Sequence, residues 1–417
     1  MSANAWAAKA RQLDRYRWQV LRAHHAWAGS FVRFLRDAIV DAACGFAAKL
    51  RLAAAVESEP CDFLLLQAAP RVIKLQRKKT FMAALRERGH SLTETALPEM
   101  RDLIAAHMLR PPSQPVPLRY FAYAAHAAWL VEKYQPRILL NDRNGSFYSP
   151  FLRLALNARG GLLVQLAHST TVEASRRLGM NDYDYYFLFG KSSLEALQAR
   201  KLRCGTSIAV LVGSHMVDES YALPLPDAAL KTVLVLGLGP DKEKLEEYQA
   251  TYRLLRDWAE RHTDYRVLIK KHPRSVMEFW EETGRALNNV HVLPPTTTLA
   301  EALGQASVAV NIVSNAAIEA ALARRPILYV SCGHEHDLLS QARFFNGKIS
   351  TMEALEQGVD ALQRDYPAAC QRSAEFAEYH LAYGTQGLRQ NIHELERLLT
   401  SQPPEAFCET ITNTIKL

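Results

Sequence analysis

From about residue 60 the chain alternates short apolar runs with amphipathic stretches of helical period, and this alternation restricts its fold more than any other feature. CDFLLLQA, HSLTETAL, PRILLND, GLLVQLAH, YDYYFLFG and SIAVLVGS read as strands. Helical patterns lie between most of them, among them RVIKLQRKKTFMAALRERG, closed by Gly89, and LRYFAYAAHAAWLVEKY. Such alternation implies parallel strands with helical crossovers. SYALPLPDAALK, with Pro224 and Pro226, reads as a linker, after which the alternation restarts. TVLVLGLG, YRVLIKK, VHVLP, VAVNIV and PILYVS are its strands; DKEKLEEYQATYRLLRDWAERH, SVMEFWEETGRAL, TLAEALGQA and NAAIEAALARR are its helices. From about Ser350 the pattern is mostly helical. The expected organisation is a helical leader over 1–55, a doubly wound α/β domain over 56–220, a linker over 221–231, a second such domain over 232–400 and a tail over 401–417, with a cleft between the two domains.

The totals of this 417-residue chain, 48% hydrophobic and 22% charged, are those of an ordinary globular protein of two or three domains. Its six cysteines are scattered with no CxxC pair, which argues against a zinc ribbon or a disulfide framework and fits a reducing cytosol. No apolar run approaches the roughly 20 residues that cross a bilayer. Lys9, Arg11, Asp14, Arg15 and Arg17 interrupt any signal-peptide core, so a cytoplasmic protein is expected.

The net charge of +7 is concentrated at the start: through Arg51 there are nine Lys/Arg against three Asp, an excess of six. Trp6, Trp18 and Trp27 share that stretch with the helical run FVRFLRDAIVDAACGFAAKLRLAAAV. Two readings stand. Basic residues and tryptophans on an amphipathic helix suit the surface of an anionic membrane, which would make the protein peripheral at the inner face of the cytoplasmic membrane. A helical extension packed on the body, or a dimer contact, would look the same. Nucleic acid is not expected as a partner, because no nucleic-acid-binding motif accompanies the charge.

LIKKHPRS, Leu268 to Ser275, sets cations at the end of a strand that should be buried. In open α/β sheets ligands bind beyond the carboxyl ends of the strands. Pro273 stops the strand and biases His272 toward an extended backbone. Lys270, Lys271, His272 and Arg274 would there supply donors and positive charge to an anion such as phosphate. In AVNIVSNAAIEAALARRPILYV a strand ends at Val313 and a helix begins near Ser314–Asn315, both good N-caps. A helix N-terminus attracts anions through its unpaired N–H groups and dipole. Glu319, four residues on, lies on the same helix face, where a carboxylate can accept both hydroxyls of a ribose. Taken together, the two turns describe phosphate and ribose subsites on adjoining loops. Gly237 and Gly239 in TVLVLGLGPDKEK form no dinucleotide fingerprint, yet they let a ligand approach the backbone closely.

Over roughly Thr232 to Phe345 the chain resembles the donor domain of GT-B-fold transferases of bacterial surface-polysaccharide synthesis: sialyltransferase-like, Kdo-transferase-like and CDP-glycerol-type enzymes of capsule and lipopolysaccharide assembly. His272–Pro273 matches their HP motif, Ser314–Asn315 their serine-rich phosphate turn, with asparagine for the second serine, and Glu319 the glutamate that often holds the donor ribose. The resemblance implies a GT-B fold of two Rossmann-like domains, acceptor then donor, facing across a cleft. It implies an inverting glycosyltransferase without metal or other cofactor, whose donor substrate is a nucleotide-activated sugar, for instance CMP-linked, and whose acceptor is a lipid-linked glycan or oligosaccharide.

Inverting transfer needs a base for the acceptor proton. Asp142 in ILLNDRNGSF and His168 in LLVQLAHSTT stand at strand ends and are the two candidates, Asp142 the first choice. Related enzymes often carry a histidine followed by glycine at the second position; Ser169 replaces the glycine here. Glu173, Arg176 and Arg177 could meet an acidic acceptor, and Asp182, Asp184, Gly190 and Lys191 are expected near the cleft. HEHD, His334 to Asp337, looks like a metal cluster, but neighbouring loop positions rarely converge on one ion. No metal is expected, and His334 or His336 could touch the donor instead. Three alternatives stay open: transfer of glycerol phosphate or of ribose 5-phosphate from phosphoribosyl diphosphate, a sugar-nucleotide epimerase, and a non-catalytic binding subunit. An epimerase would ordinarily open with a strand and phosphate loop, whereas this chain opens with a helical leader.

Overall fold

The computed structural model describes residues 4–143, 145–170, 179–334 and 336–415. The chain divides into two compact units, 1–216 with 388–417, and 217–387. Twelve strands run through the described residues: β1 (Phe63–Gln67), β2 (Leu92–Ala96), β3 (Ile138–Asn141), β4 (Leu162–Leu166), β5 (Tyr185–Leu188), β6 (Ser207–Leu211), β7 (Thr232–Leu236), β8 (Arg266–Lys270), β9 (Val290–Val292), β10 (Val308–Asn311), β11 (Ile327–Tyr329) and β12 (Cys408–Ile411).

In the first unit seven strands form one sheet in the order β12-β6-β5-β4-β3-β1-β2. Six are parallel, and β12 closes one edge antiparallel to β6. β1 and β3 are buried along their whole length, which is why FLLLQ and ILLN carry almost no polar alternation. Phe63, Leu65, Ile138, Leu140 and Val164 pack with Phe81 and Leu85 of helix Lys79–Glu87. Ile392 and Leu395, from helix Gly387–Leu399, complete this core. The chain therefore returns to its first unit after leaving the second.

The leader is part of this unit. Helix α1 (Ala5–His24) buries Trp6, Leu13 and Tyr16; Trp6 stacks on Phe151 at 5.9 Å, and the Tyr16 hydroxyl accepts from the Gly179 N–H. Helix α2 (Trp27–Lys49) lies along helix Leu118–Tyr134, so tightly that a Cβ on Gly45 would sit 1.9 Å from the Leu118 carbonyl oxygen.

The second unit has five parallel strands in the order β11-β10-β7-β8-β9. Val233, Val235, Val267, Ile269, Val308 and Val310 build its core against Tyr252, Leu255 and Trp258 of helix Glu246–Arg261.

Three expectations change. RVIKLQRKKTFMAALRERG is two helices, Pro70–Ile73 and Lys79–Glu87, because Gln76 takes φ +45° and Lys78 turns inward to a buried acid. DKEKLEEYQATYRLLRDWAERH breaks likewise into Pro240–Glu243 and Glu246–Arg261. The tail contains β12, a short half-exposed strand whose partner lies about 200 residues away and which no local signal marks.

Candidate functional site

In the second sheet β7 lies between β10 and β8, and all three run parallel. The turns that follow them therefore emerge at one carboxyl edge: Ser314 to Glu319 after β10, Gly237 to Gly239 after β7, and Lys271 to Arg274 after β8. The two expected subsites are not on adjoining loops. The glycine turn separates them and belongs to the same rim.

The glycines explain how the turns fit. The Gly237 N–H donates to the Lys270 carbonyl at 2.9 Å. A Cβ on Gly237 would stand 2.9 Å from the His272 nitrogen, the Lys270 oxygen and the Lys271 Cα, so any side chain would push the KHP turn away. Gly239 is looser, and a Cβ there would reach the His272 ring at an ordinary 3.9 Å. His272 Nδ1 accepts from the Arg274 N–H at 3.1 Å. That bond puts the neutral ring's proton on Nε2, leaving Nε2–H as a donor. Ser275 ties the turn down through its hydroxyl to Glu243 at 2.6 Å.

The four expected phosphate donors differ. Arg274 is exposed and Lys270 half-buried. Lys271 is held by the Glu281 carboxylate at 2.5 Å and the Met277 carbonyl at 2.8 Å, so an anion would compete with Glu281 for it.

After β10 the Ser314 hydroxyl caps the next helix by accepting from the Ala316 N–H at 3.2 Å, and the Ser314 N–H donates to Asn311. Asn315, expected to share the capping, is exposed and caps nothing. The helix Ala316–Leu322 has only seven residues, too short for its dipole to carry an anion-binding argument. Glu319 on its first turns is the more telling group. Its Oε2 is buried with no hydrogen-bond partner among the described residues, and burial pushes its carboxyl up to about 7. An unsatisfied buried acceptor is uncommon in a folded protein and is what a ligand hydroxyl would complete.

A second cluster stands at the carboxyl edge of the first sheet. Asp142 follows β3, His168 follows β4, His215 follows β6, and Lys78 comes from the segment after β1. Lys78 Nζ lies 2.7 Å from Asp142 Oδ1, with both side chains about 2% exposed. His168 Nδ1 is 3.8 Å from the same oxygen, near enough for charge but too long for a hydrogen bond, and its side chain is 40% exposed. Burial alone would raise the Asp142 carboxyl; the neighbouring His168 and Lys78 overcome it and hold the group below the usual carboxylate range. His215 packs against Phe81 and Phe189, and burial, with Lys78 adding to it, pushes its imidazole down to about 3. Its Nε2 has no partner among the described residues.

Asp142 is thus an ion-paired carboxylate and His168 the accessible group beside it. Lys78 and His215 were not singled out from sequence. His215, in the GSH that follows β6, satisfies the same strand-end rule that picked Asp142 and His168. Lys78 is disguised by the apparent helix around it.

Other expected residues lie elsewhere. Asp182 is fully buried beneath α1, paired with Lys9 at 2.5 Å and Arg153 at 2.9 Å, and Asp184 accepts from Arg153. They fasten the leader and the β4–β5 region. Gly190 precedes the helix Lys191–Gln198, and Lys191 faces Glu195 at 3.9 Å. His334 and His336 are exposed, and among the described residues no three His, Cys, Asp or Glu converge to hold a metal ion. Glu173, Arg176 and Arg177 lie outside the described residues.

No family model and no curated protein matches the sequence. Solved structures do match in shape. A Listeria monocytogenes protein assigned as a UDP-N-acetylglucosamine 2-epimerase aligns over 84% of this chain and 99% of its own, at 11% identity and a TM-score of 0.53. The UDP-GlcNAc 2-epimerase of Neisseria meningitidis aligns over 80% and 100% at 12% identity, TM-score 0.47. The kitacinnamycin glycosyltransferase aligns over 82% and 100% at 16% identity, TM-score 0.47. None of these three is one of the narrower transferases that the KHP and Ser-Asn turns resemble. Two α/β units built on mainly parallel sheets, with a helical N-terminal leader and helices before the closing strand, give this chain a GT-B fold.

Proposed function

We propose that this protein is an enzyme acting on a nucleotide-activated sugar and that it transfers the sugar, with inversion, to a growing bacterial surface glycan. The observation that carries the reading is the buried Glu319 Oε2, without a hydrogen-bond partner among the described residues, on the same sheet rim as the Gly237 and His272 turns. Glu319 accepts from the donor ribose. The His272 Nε2–H, Lys270, Arg274 and the Ser314 hydroxyl neutralise the phosphate that leaves. Asn315, at the same turn, contributes its side-chain amide.

In the first unit the acceptor's hydroxyl gives its proton to His168, whose imidazolium is stabilised by the Asp142 carboxylate. Lys78 keeps that carboxylate ionised. Asp142 itself is a weak base, because the buried Lys78 ammonium 2.7 Å away already holds its charge. The nucleotide is left open between CMP, UDP and their diphosphate relatives, and transfer of a phosphorylated unit would use the same donor groups.

The fold it shares with the Listeria protein supports a second reading, epimerisation of the sugar nucleotide. The cluster of Lys78, Asp142 and His215, with the more accessible His168 beside them, favours it, since several titratable groups in one place can remove and return a proton. Calorimetric titration with CMP, CDP, UDP and GDP, followed by NMR of the matching sugar nucleotide with and without glycan acceptor, separates the two. Conversion without acceptor is epimerisation, and conversion that requires acceptor is transfer. Absence of binding to every nucleotide refutes both.

A further inference from the structure

The N-terminal helices carry a surface that this chemistry does not use. α2 is packed along one side only, through Ser30, Gly45 and Ala48. Its other side is apolar and open: Val32, Ile39 and Phe46 expose 64%, 62% and 59% of their surface, with Leu35 and Val40 also exposed. At about 100° per residue, Val32, Leu35, Ile39 and Phe46 fall within roughly 60° of one another around the helix axis. A continuous stripe of this kind differs from the scattered surface leucine or valine of an ordinary globular protein.

The charges beside the stripe indicate what covers it. All three acids of the leader are tied to arginines: Asp14 to Arg119, Asp37 to Arg36 and Arg17, Asp41 to Arg17 and Arg119. Arg22 and Arg33 are exposed with no acidic partner among the described residues, and Arg36 is 67% exposed. A second copy docked on α2 would offer Arg33 and Arg36 no free acid from its own leader, whose three acids are already paired. An anionic lipid surface takes the same arginines as partners and the apolar stripe into its acyl boundary.

We propose that α2 is the docking face of this protein on an anionic membrane, lying flat on the lipid. It does not cross: no helix among the described residues is long and apolar enough to do so. The proposal is independent of the reaction the enzyme performs.

The test is co-sedimentation of the full chain with phosphatidylcholine vesicles, plain or containing about one third phosphatidylglycerol. Binding is expected to the anionic vesicles only and to weaken with salt. Arg33→Gln and Arg36→Gln are each expected to lower the partition coefficient about fivefold. Val32→Ser/Ile39→Ser, solvent-facing changes that leave the melting temperature in place, are expected to lower it at least as much. No binding of the wild type to anionic vesicles overturns the proposal. So does a wild-type dimer, seen by light scattering, that Val32→Ser/Ile39→Ser dissociates while vesicle binding is unchanged. If the double variant fails to fold, Phe46→Ser alone decides by the same readouts.

Discussion

Lys78 and Asp142 form an ion pair of 2.7 Å that is almost wholly closed to solvent, although 64 positions separate them in the chain. Removing one member leaves the other charged and buried, which costs about 3–5 kcal/mol. Lys78→Met is therefore expected to lower unfolding free energy by about that amount, and Lys78→Met/Asp142→Leu to recover most of it. Urea denaturation of the two single variants and the double gives the coupling; a value near zero would mean that water reaches the pair.

Glu319 should show opposition between stability and binding. Burial pushes its folded carboxyl up to about 7, above the 4.5 of an unperturbed glutamate. Between those values the folded state holds the proton more tightly, so stability falls as pH rises through the window. Glu319→Gln removes that loss and is expected to stabilise the protein at pH 8 by on the order of 1–3 kcal/mol. The same variant should bind nucleotide at least tenfold more weakly, because the amide offers one acceptor oxygen where the carboxylate offers two, and carries no charge. Denaturation at pH 5 and 8, beside nucleotide titration, checks both halves.

The buried histidines act in the opposite direction. His215, at about 3, and His126 and His380, at about 4, are all depressed by burial from an ordinary 6.5. Each keeps its stabilising contribution above pH 6.5 and loses it as pH falls toward the folded value, because only the unfolded chain then gains the proton. A slope of about 1 kcal/mol per pH unit for each histidine is expected between pH 6 and 4. His215→Asn should flatten the profile by one such share.

Gly237→Ala and Gly239→Ala make a controlled pair. The first must push backbone atoms of the KHP turn, and a loss of about 1–3 kcal/mol with at least tenfold weaker nucleotide binding is expected. The second meets only ordinary contacts and should leave both near wild type. Equal behaviour of the two would detach the glycine turn from the donor site.

His168→Ala should lower turnover by about 10²–10⁴ and leave nucleotide affinity unchanged, the signature of a lost proton acceptor. Single-turnover kinetics with calorimetry distinguishes this from a folding defect. Full activity in His168→Ala would return the base to Asp142.

How much of this was legible depended on whether the cause was local. Buried parallel strands announce themselves as apolar runs, and LRYFAYAAHAAWLVEKY spans the helix Leu118–Tyr134 from end to end. The carboxyl-edge rule located the KHP and Ser-Asn turns, since a residue's place after a strand is a local fact. It could not give strand order, so it missed that β7 and its glycines separate the two turns. Lys78 sits in a run of helical period that breaks at Gln76, and its partner Asp142 lies far along the chain, beyond the reach of any local pattern. Asp182 read as a cleft residue because Lys9, which covers it, lies in a leader that looked separable.

The return of residues 388–417 to the first unit has a bearing on biosynthesis. While the ribosome translates 217–387, the earlier sheet has β6 at an open edge and lacks Ile392 and Leu395 against Phe63 and Leu65. The later-made unit can reach its native state first. The earlier-made one must wait, with sticky strands unprotected, until Ile411 emerges. Chaperone dependence of the nascent chain should thus cease only when the final strand has been added.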